Sequence, residues 1–168
     1  MSALMRTRLV IPFALLAAVF ICVFFSRNRA WPPKGYTEVR AFLYNLDSGD
    51  SKPCITNGCL DASITDTNGV RLTETQVSRF LTAVTGKHPQ HGVAGCYVPH
   101  HAYVFYDQKH RIVGWAELCF GCLNYRTSSP NAPVFFDVFA LQDLTLELGL
   151  PVLKKDEEYL TLKPKAKK

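Results

Sequence analysis

No low-complexity tract, internal repeat or regular βαβ alternation runs through these 168 residues. Without a repeat there is no solenoid, whose units bury their cores only against copies of themselves. Without the alternation there is no doubly wound parallel sheet. A second Cys-x-x-Cys is also missing, and with it the strongest signature of a structural zinc site. No histidine directly follows Cys122, which excludes covalent c-type haem attachment. The body of the chain has no net basic charge. Arg6, Arg8, Arg27 and Arg29 flank an apolar segment, and removing them takes the net charge from +5 to +1. Removing Lys163, Lys165, Lys167 and Lys168 as well leaves −3. A mildly acidic body carries no nucleic-acid footprint, and none is expected.

What is present begins with "LVIPFALLAAVFICVFF", residues 9–25, which contains no charge. Seventeen residues in a helix reach ~26 Å, enough for a short membrane span. The competing reading is a cleaved signal peptide with Arg6 and Arg8 as its basic start. The exit "FFSRNRAW" offers no small-x-small cleavage pair, and Cys22 follows Ile21 and Phe20 rather than a small residue. An uncleaved anchor, inserted in the bilayer through residues 9–25, is therefore favoured. Positive residues on the two sides nearly balance, so charge does not set the orientation. Five cysteines beyond the segment point to an extracytoplasmic domain, periplasmic or extracellular.

The expected organisation is an N-terminal transmembrane anchor or signal peptide (1–30), a Pro-rich stalk with an interfacial Trp31 (31–36), one domain (37–153), and a charged, disordered tail (154–168). Within the domain, "TEVRAFLYNL" (37–46) reads as a strand and residues 48–59 as a polar loop holding Cys54 and Cys59. Asn68-Gly69 signals a hairpin turn. Thr73 and Gln76 form a capping box, Val77, Phe80, Leu81 and Val84 recur at helical spacing, and Gly86 ends the helix. "HAYVFYD" and "RIVGWAELCF" form the clearest strand pair. "APVFFDVF" (132–139) reads as a further strand, and 138–149 as containing a short helix stopped by Pro151. The fold class is α+β: a small antiparallel sheet with a prominent hairpin and two helices.

Chemistry is concentrated in "CYVPHHAYVFYDQKHRIVGWAELCFGC", residues 96–122. A three-residue loop at Gln108–His110 sets Asp107 against Arg111, Cys96 against Cys122, and His101 against Glu117. Partners across the strands share a face, so His101 joins Cys119 while His100 points away. A two-residue loop would move this register by one; the approach of Cys96 to the Cys-x-x-Cys survives either way. Three soft thiolates and an imidazole suit a tetrahedral ion, which makes Cys96, His101, Cys119 and Cys122 candidate ligands of Zn2+ or copper(I). Glu117 is placed to orient the second nitrogen of His101. The equally weighted alternative is disulfides: Cys96 to Cys119 or Cys122, and Cys54 to Cys59. Thiol exchange is disfavoured because no helix pattern follows Cys122, and a Cys96–His101 nucleophile lacks any accompanying substrate motif. His88 and His91 read as solvated loop residues, His110 as a positive-φ turn residue, and Tyr103, Phe105 and Trp115 as core.

Cys96, Tyr97, Pro99, His101, Phe105, Tyr106, Asp107, Cys119, Phe120 and Cys122 follow a Cys-aromatic-x-Pro-x-His … Cys-Phe-x-Cys pattern. In this the chain resembles a group of small bacterial membrane-anchored or lipoprotein-like proteins. His100 stands where that pattern has a basic residue, and the lipidation cysteine is missing. The resemblance covers about thirty residues, implies a periplasmic or cell-surface address, and brings no activity with it. The expected function is thus a membrane-anchored extracytoplasmic protein with a Cys/His site for zinc or a similar soft metal. The alternatives are a disulfide-stabilised binding or structural module of the cell envelope, or a thiol–disulfide redox protein.

Overall fold

The computed structural model describes residues 30–47 and 49–162. The expected anchor at 9–25 lies outside them, as does the end of the tail. Among the described residues no helix is long and apolar enough to cross a membrane.

A five-stranded antiparallel sheet organises the domain, with β1 (Glu38–Leu43), β4 (Val70–Arg71), β5 (His101–Tyr106), β6 (Ile112–Cys119) and β7 (Asn124–Thr127) in the order β4-β1-β5-β6-β7. A separate small hairpin joins β2 (Ile55–Thr56) to β3 (Cys59–Leu60). The helices are α1 (Glu74–Val84), α2 (Val138–Glu147) and a single turn, α3 (Asp156–Tyr159), followed by a 3-10 turn at Leu160–Leu162. The α+β reading holds at this level, with one more short helix than expected.

Central β5 is buried along its whole length because both faces are covered. On one face Val39, Ala41, Tyr103, Phe105, Ala116 and Leu118 pack against Phe80 and Val84 of α1 and Val138, Leu141 and Leu144 of α2. On the other, Phe42, Tyr44, Ala102, Val104 and Tyr106 enclose Cys54 and Ile64. The expected capping box is present: Thr73 accepts from the Gln76 amide and Gln76 returns a bond to the Thr73 amide. Gly86, at φ 81°, follows the helix end as expected. Asp137 caps α2 by accepting from the Ala140 amide.

Several boundaries differ from expectation, each for a local reason. Residues 31–36 are no free stalk. Trp31 donates its indole N–H to Val84 O at 2.8 Å, stacks on Phe136 and meets the edge of Phe105. Gly114 lets this segment lie flat on β6, since a Cβ there would stand 2.7 Å from Pro33 Cγ. The expected strand at 132–139 is irregular up to Asp137 and then enters α2. Its place at the sheet edge belongs to β7, whose Tyr125 stacks on Phe136 and donates to Pro133 O. The domain also continues past residue 153: Tyr159 is buried at 3% exposure, an apolar anchor inside an otherwise charged segment. Gly69 does turn the chain, but β4 then pairs with β1 rather than with the run before it. The loop expected at 48–59 contains the β2–β3 hairpin, turned by Asn57 and Gly58, both at positive φ.

Candidate functional site

The predicted site residues gather at one end of the sheet, where β5 begins and β6 ends. The hairpin loop forms as expected. The Asp107 amide donates to Arg111 O, the His110 amide donates to Asp107 O, and His110 adopts φ 57°. A β-bulge then intervenes between Tyr106, which faces Ile112, and Phe105, which faces Gly114. Val113 is the extra residue. One inserted residue exchanges the faces of everything beyond it. His101 consequently faces Leu118, and Glu117 faces Ala102.

That shift overturns the expected sharing of a face by His101, Cys119 and Glu117. His101 sits on the helix-covered side against Phe120 and Tyr159. Its Nε2 lies 2.9 Å from Pro151 O; a carbonyl only accepts, so Nε2 carries the proton and Nδ1 keeps a lone pair, buried without a hydrogen-bond partner. Burial holds its pKa down at about 3, so the ring is neutral. His100 does the reverse. Its Nδ1–H donates to Asn45 O at 3.1 Å, and Nε2 is buried, 3.5 Å from the Asp156 carboxylate. The ring stacks on Tyr159 at 3.8 Å. Burial lowers its pKa while Asp156 opposes the shift.

Glu117 has work of its own rather than orienting His101. At 2% exposure it accepts the Cys54 amide at 2.5 Å and the Tyr97 hydroxyl at 3.1 Å. Burial first, and the Glu117 charge second, push both the Cys54 thiol and the Tyr97 phenol up, so each stays protonated and able to donate. Arg126 lies 4.2 Å over the Tyr97 ring. This network ties the segment around Cys54 and the segment around Cys96 to the middle of β6. Neither Cys54 nor Tyr97 carried a sequence signal for it.

Among the described residues the cysteine sulfurs fall into two groups. Cys96 and Cys122 form a disulfide across 26 residues, with Cα atoms 6.0 Å apart. Cys54, Cys59 and Cys119 are free. The expected Cys54–Cys59 bridge is absent because Cys59 faces Thr56, while Cys54 lies two residues further along, its carbonyl accepting the Asp61 amide. Two residues along and one strand across is about 8 Å, beyond disulfide reach. Burial holds the Cys119 thiol up, opposed by the backbone amides of Val98, Cys122 and Gly121.

Of the four expected ligands, then, the structure brings Cys96 and Cys122 into covalent contact, leaves Cys119 at the end of β6 before the turn that holds Cys122, and turns His101 to the opposite face. Among the described residues no group of three or more His, Cys, Asp and Glu is placed to share an ion. His88 and His91 bond backbone carbonyls, His88 at Thr82 and Thr85 and His91 at Leu123. A cavity of about 520 Å3 opens over the disulfide, lined by Cys96, Gly121, Cys122, Lys154, Lys155, Asp156 and Glu157. Asp156 and Tyr159 belong to this pole although the charged run that contains them reads as tail. What the fold and site define is a small α+β domain with a cross-linked pole. No protein-family profile, curated protein or solved structure matches the chain significantly.

Proposed function

We propose that the chain is a disulfide-stabilised structural or binding module of an oxidising, extracytoplasmic compartment, held at the membrane by residues 9–25. The observation that carries this reading is the Cys96–Cys122 bond. It closes the irregular segment before β5 onto the β6–β7 turn, where Pro99 interrupts regular pairing and the Ala94 amide bonds Cys122 O. A disulfide that holds together the mouth of a hairpin is a stabilising device, and such bonds persist where the environment is oxidising. Zinc at Cys96, His101, Cys119 and Cys122 fits this geometry less well. A disulfide sulfur is not a thiolate ligand, and the His101 ring would have to cross the sheet to join Cys119.

A thiol count with metal analysis on the purified full-length chain tests the reading. Among the described residues Cys96 and Cys122 are bonded and Cys54, Cys59 and Cys119 are free, so these three should be labelled after denaturation without reductant while Cys96 and Cys122 are not. Six reactive thiols with one bound metal per chain would overturn it.

A further inference from the structure

β7 is the last strand of the sheet, so among the described residues one of its edges meets no other strand. The Ser128 amide donates to Trp115 O at 3.0 Å, which fixes the alternation along β7. Ser128, Arg126 and Asn124 turn their backbone groups toward β6, while Tyr125 and Thr127 turn theirs outward. The outward Tyr125 amide donates to its own neighbour, Asn124 Oδ1, at 2.8 Å. A cavity of about 450 Å3 wraps this edge. Tyr125 and Ala132 line it from the helix-covered face, and Trp115 and Arg126 from the other. Open edges are commonly guarded by charge or by a covering segment. This one has an apolar rim instead, with Val93 and Val134 50% and 81% exposed. Arg126 is exposed, and no carboxylate lines the cavity with it. Among the described residues Arg126 enters no ion pair.

We infer that β7 receives an extended segment of another protein, paired along this edge, with a carboxylate side chain opposite Arg126 between two apolar residues. This deepens the binding-module reading and rests on it. The pattern follows from strand alternation. A residue opposite Arg126 shares its face, where a carboxylate finds the cation. The residues on either side of it fall on the face of Tyr125, whose hydroxyl reaches Pro133 O. An incoming carbonyl replaces Asn124 Oδ1 on the Tyr125 amide. A second copy of the chain, pairing antiparallel about Arg126, would set two guanidinium groups opposite each other. The chain's own tail brings Lys163, Lys165, Lys167 and Lys168 and no acid. Charge therefore favours an acidic strand over either.

Two end-blocked, fluorescein-labelled heptapeptides test the assignment: Ser-Thr-Val-Glu-Val-Thr-Ser, and the same sequence with lysine for glutamate. Each is titrated against the full-length chain in detergent micelles and read by anisotropy. The glutamate peptide should bind about five- to tenfold more tightly, and Arg126→Glu should reverse the order. Methylating both valine nitrogens, which face β7, should abolish binding; methylating the glutamate nitrogen, which faces away, should not. No saturable binding at millimolar peptide, equal affinity for the two peptides, or indifference to valine methylation would each overturn the docking site. So would a dimer of the chain that excludes the peptide, because it would seat a second copy on the edge. The same wild-type sample is digested with trypsin without reductant. Cleavage after Lys87, Lys109, Arg111 and Arg126 places Cys96 in peptide 88–109 and both Cys119 and Cys122 in peptide 112–126. Failed binding with these peptides still joined overturns the docking site and leaves the cross-linked module standing. An unlinked sample that binds neither heptapeptide overturns both readings.

Discussion

Replacing Cys96 by serine and Cys122 by alanine removes the cross-link with little other change, because Cys96 is exposed and alanine puts no unpaired hydroxyl into the buried Cys122 site. The bond joins residues 26 apart in sequence. Chain-entropy bookkeeping for a closed loop of that length gives about 3.5 kcal/mol of stabilisation at 25 °C. Urea unfolding of wild type and double variant, followed by far-UV circular dichroism, measures the difference. The midpoint should fall, and the urea dependence should steepen slightly as the unfolded chain expands. Wild type kept in reductant should lose the same amount, while the variant should be insensitive to reductant. A loss below about 1 kcal/mol, or an equal response of both proteins to reductant, would refute the cross-link as a principal support of this pole.

Glu117→Ala should cost about 2–5 kcal/mol, because it strands the Cys54 amide and the Tyr97 hydroxyl in a buried site; Glu117→Gln should cost distinctly less, and equal losses in thermal unfolding would refute the network. The neutral, buried His101 makes stability fall with acid. Its folded pKa, about 3, lies below the unfolded value near 6.5, so its contribution is complete above 6.5 and drains away as the pH drops toward 3. The slope approaches about 1.4 kcal/mol per pH unit in that window, and His101→Gln should flatten it in urea titrations at stepped pH. Gly114→Ala should cost about 1–3 kcal/mol and red-shift tryptophan fluorescence, since the new methyl meets Pro33 and Ser128 and lifts the Trp31 segment; an unshifted spectrum at wild-type stability would refute that packing.

Strong local signals carried much of this fold. Thr73 with Gln76, the 3.6-residue recurrence through Val84, and Gly86 define α1 almost to the residue. The paired runs around Asp107–Arg111 define the β5–β6 hairpin, and the meeting of Cys96 with the Cys-x-x-Cys follows from it. Register was not legible, because hairpin arithmetic assumes an unbroken ladder and one bulged residue reverses the outcome for His101 and Glu117. A cue existed: Gly114 interrupts the strand pattern beside Val113, and glycine inside a strand marks a bulge or a close backbone approach. Here both occur. Asn57-Gly58 carried the turn signature of the β2–β3 hairpin in the same way. Tyr159 was hidden for the opposite reason. Its neighbours Lys155, Asp156, Glu157 and Glu158 give the segment a solvated composition, and only the pocket between His100 and His101 explains why it is buried.

Disulfide mapping of the unreduced full-length chain, trapped in acid directly on purification from an oxidising compartment, tests the cross-linked pole most directly. Peptide 88–109 joined to peptide 112–126 as the principal linkage is the predicted result, with Cys54 and Cys59 recovered as thiols. Recovery of Cys96, Cys119 and Cys122 all as free thiols would contradict it.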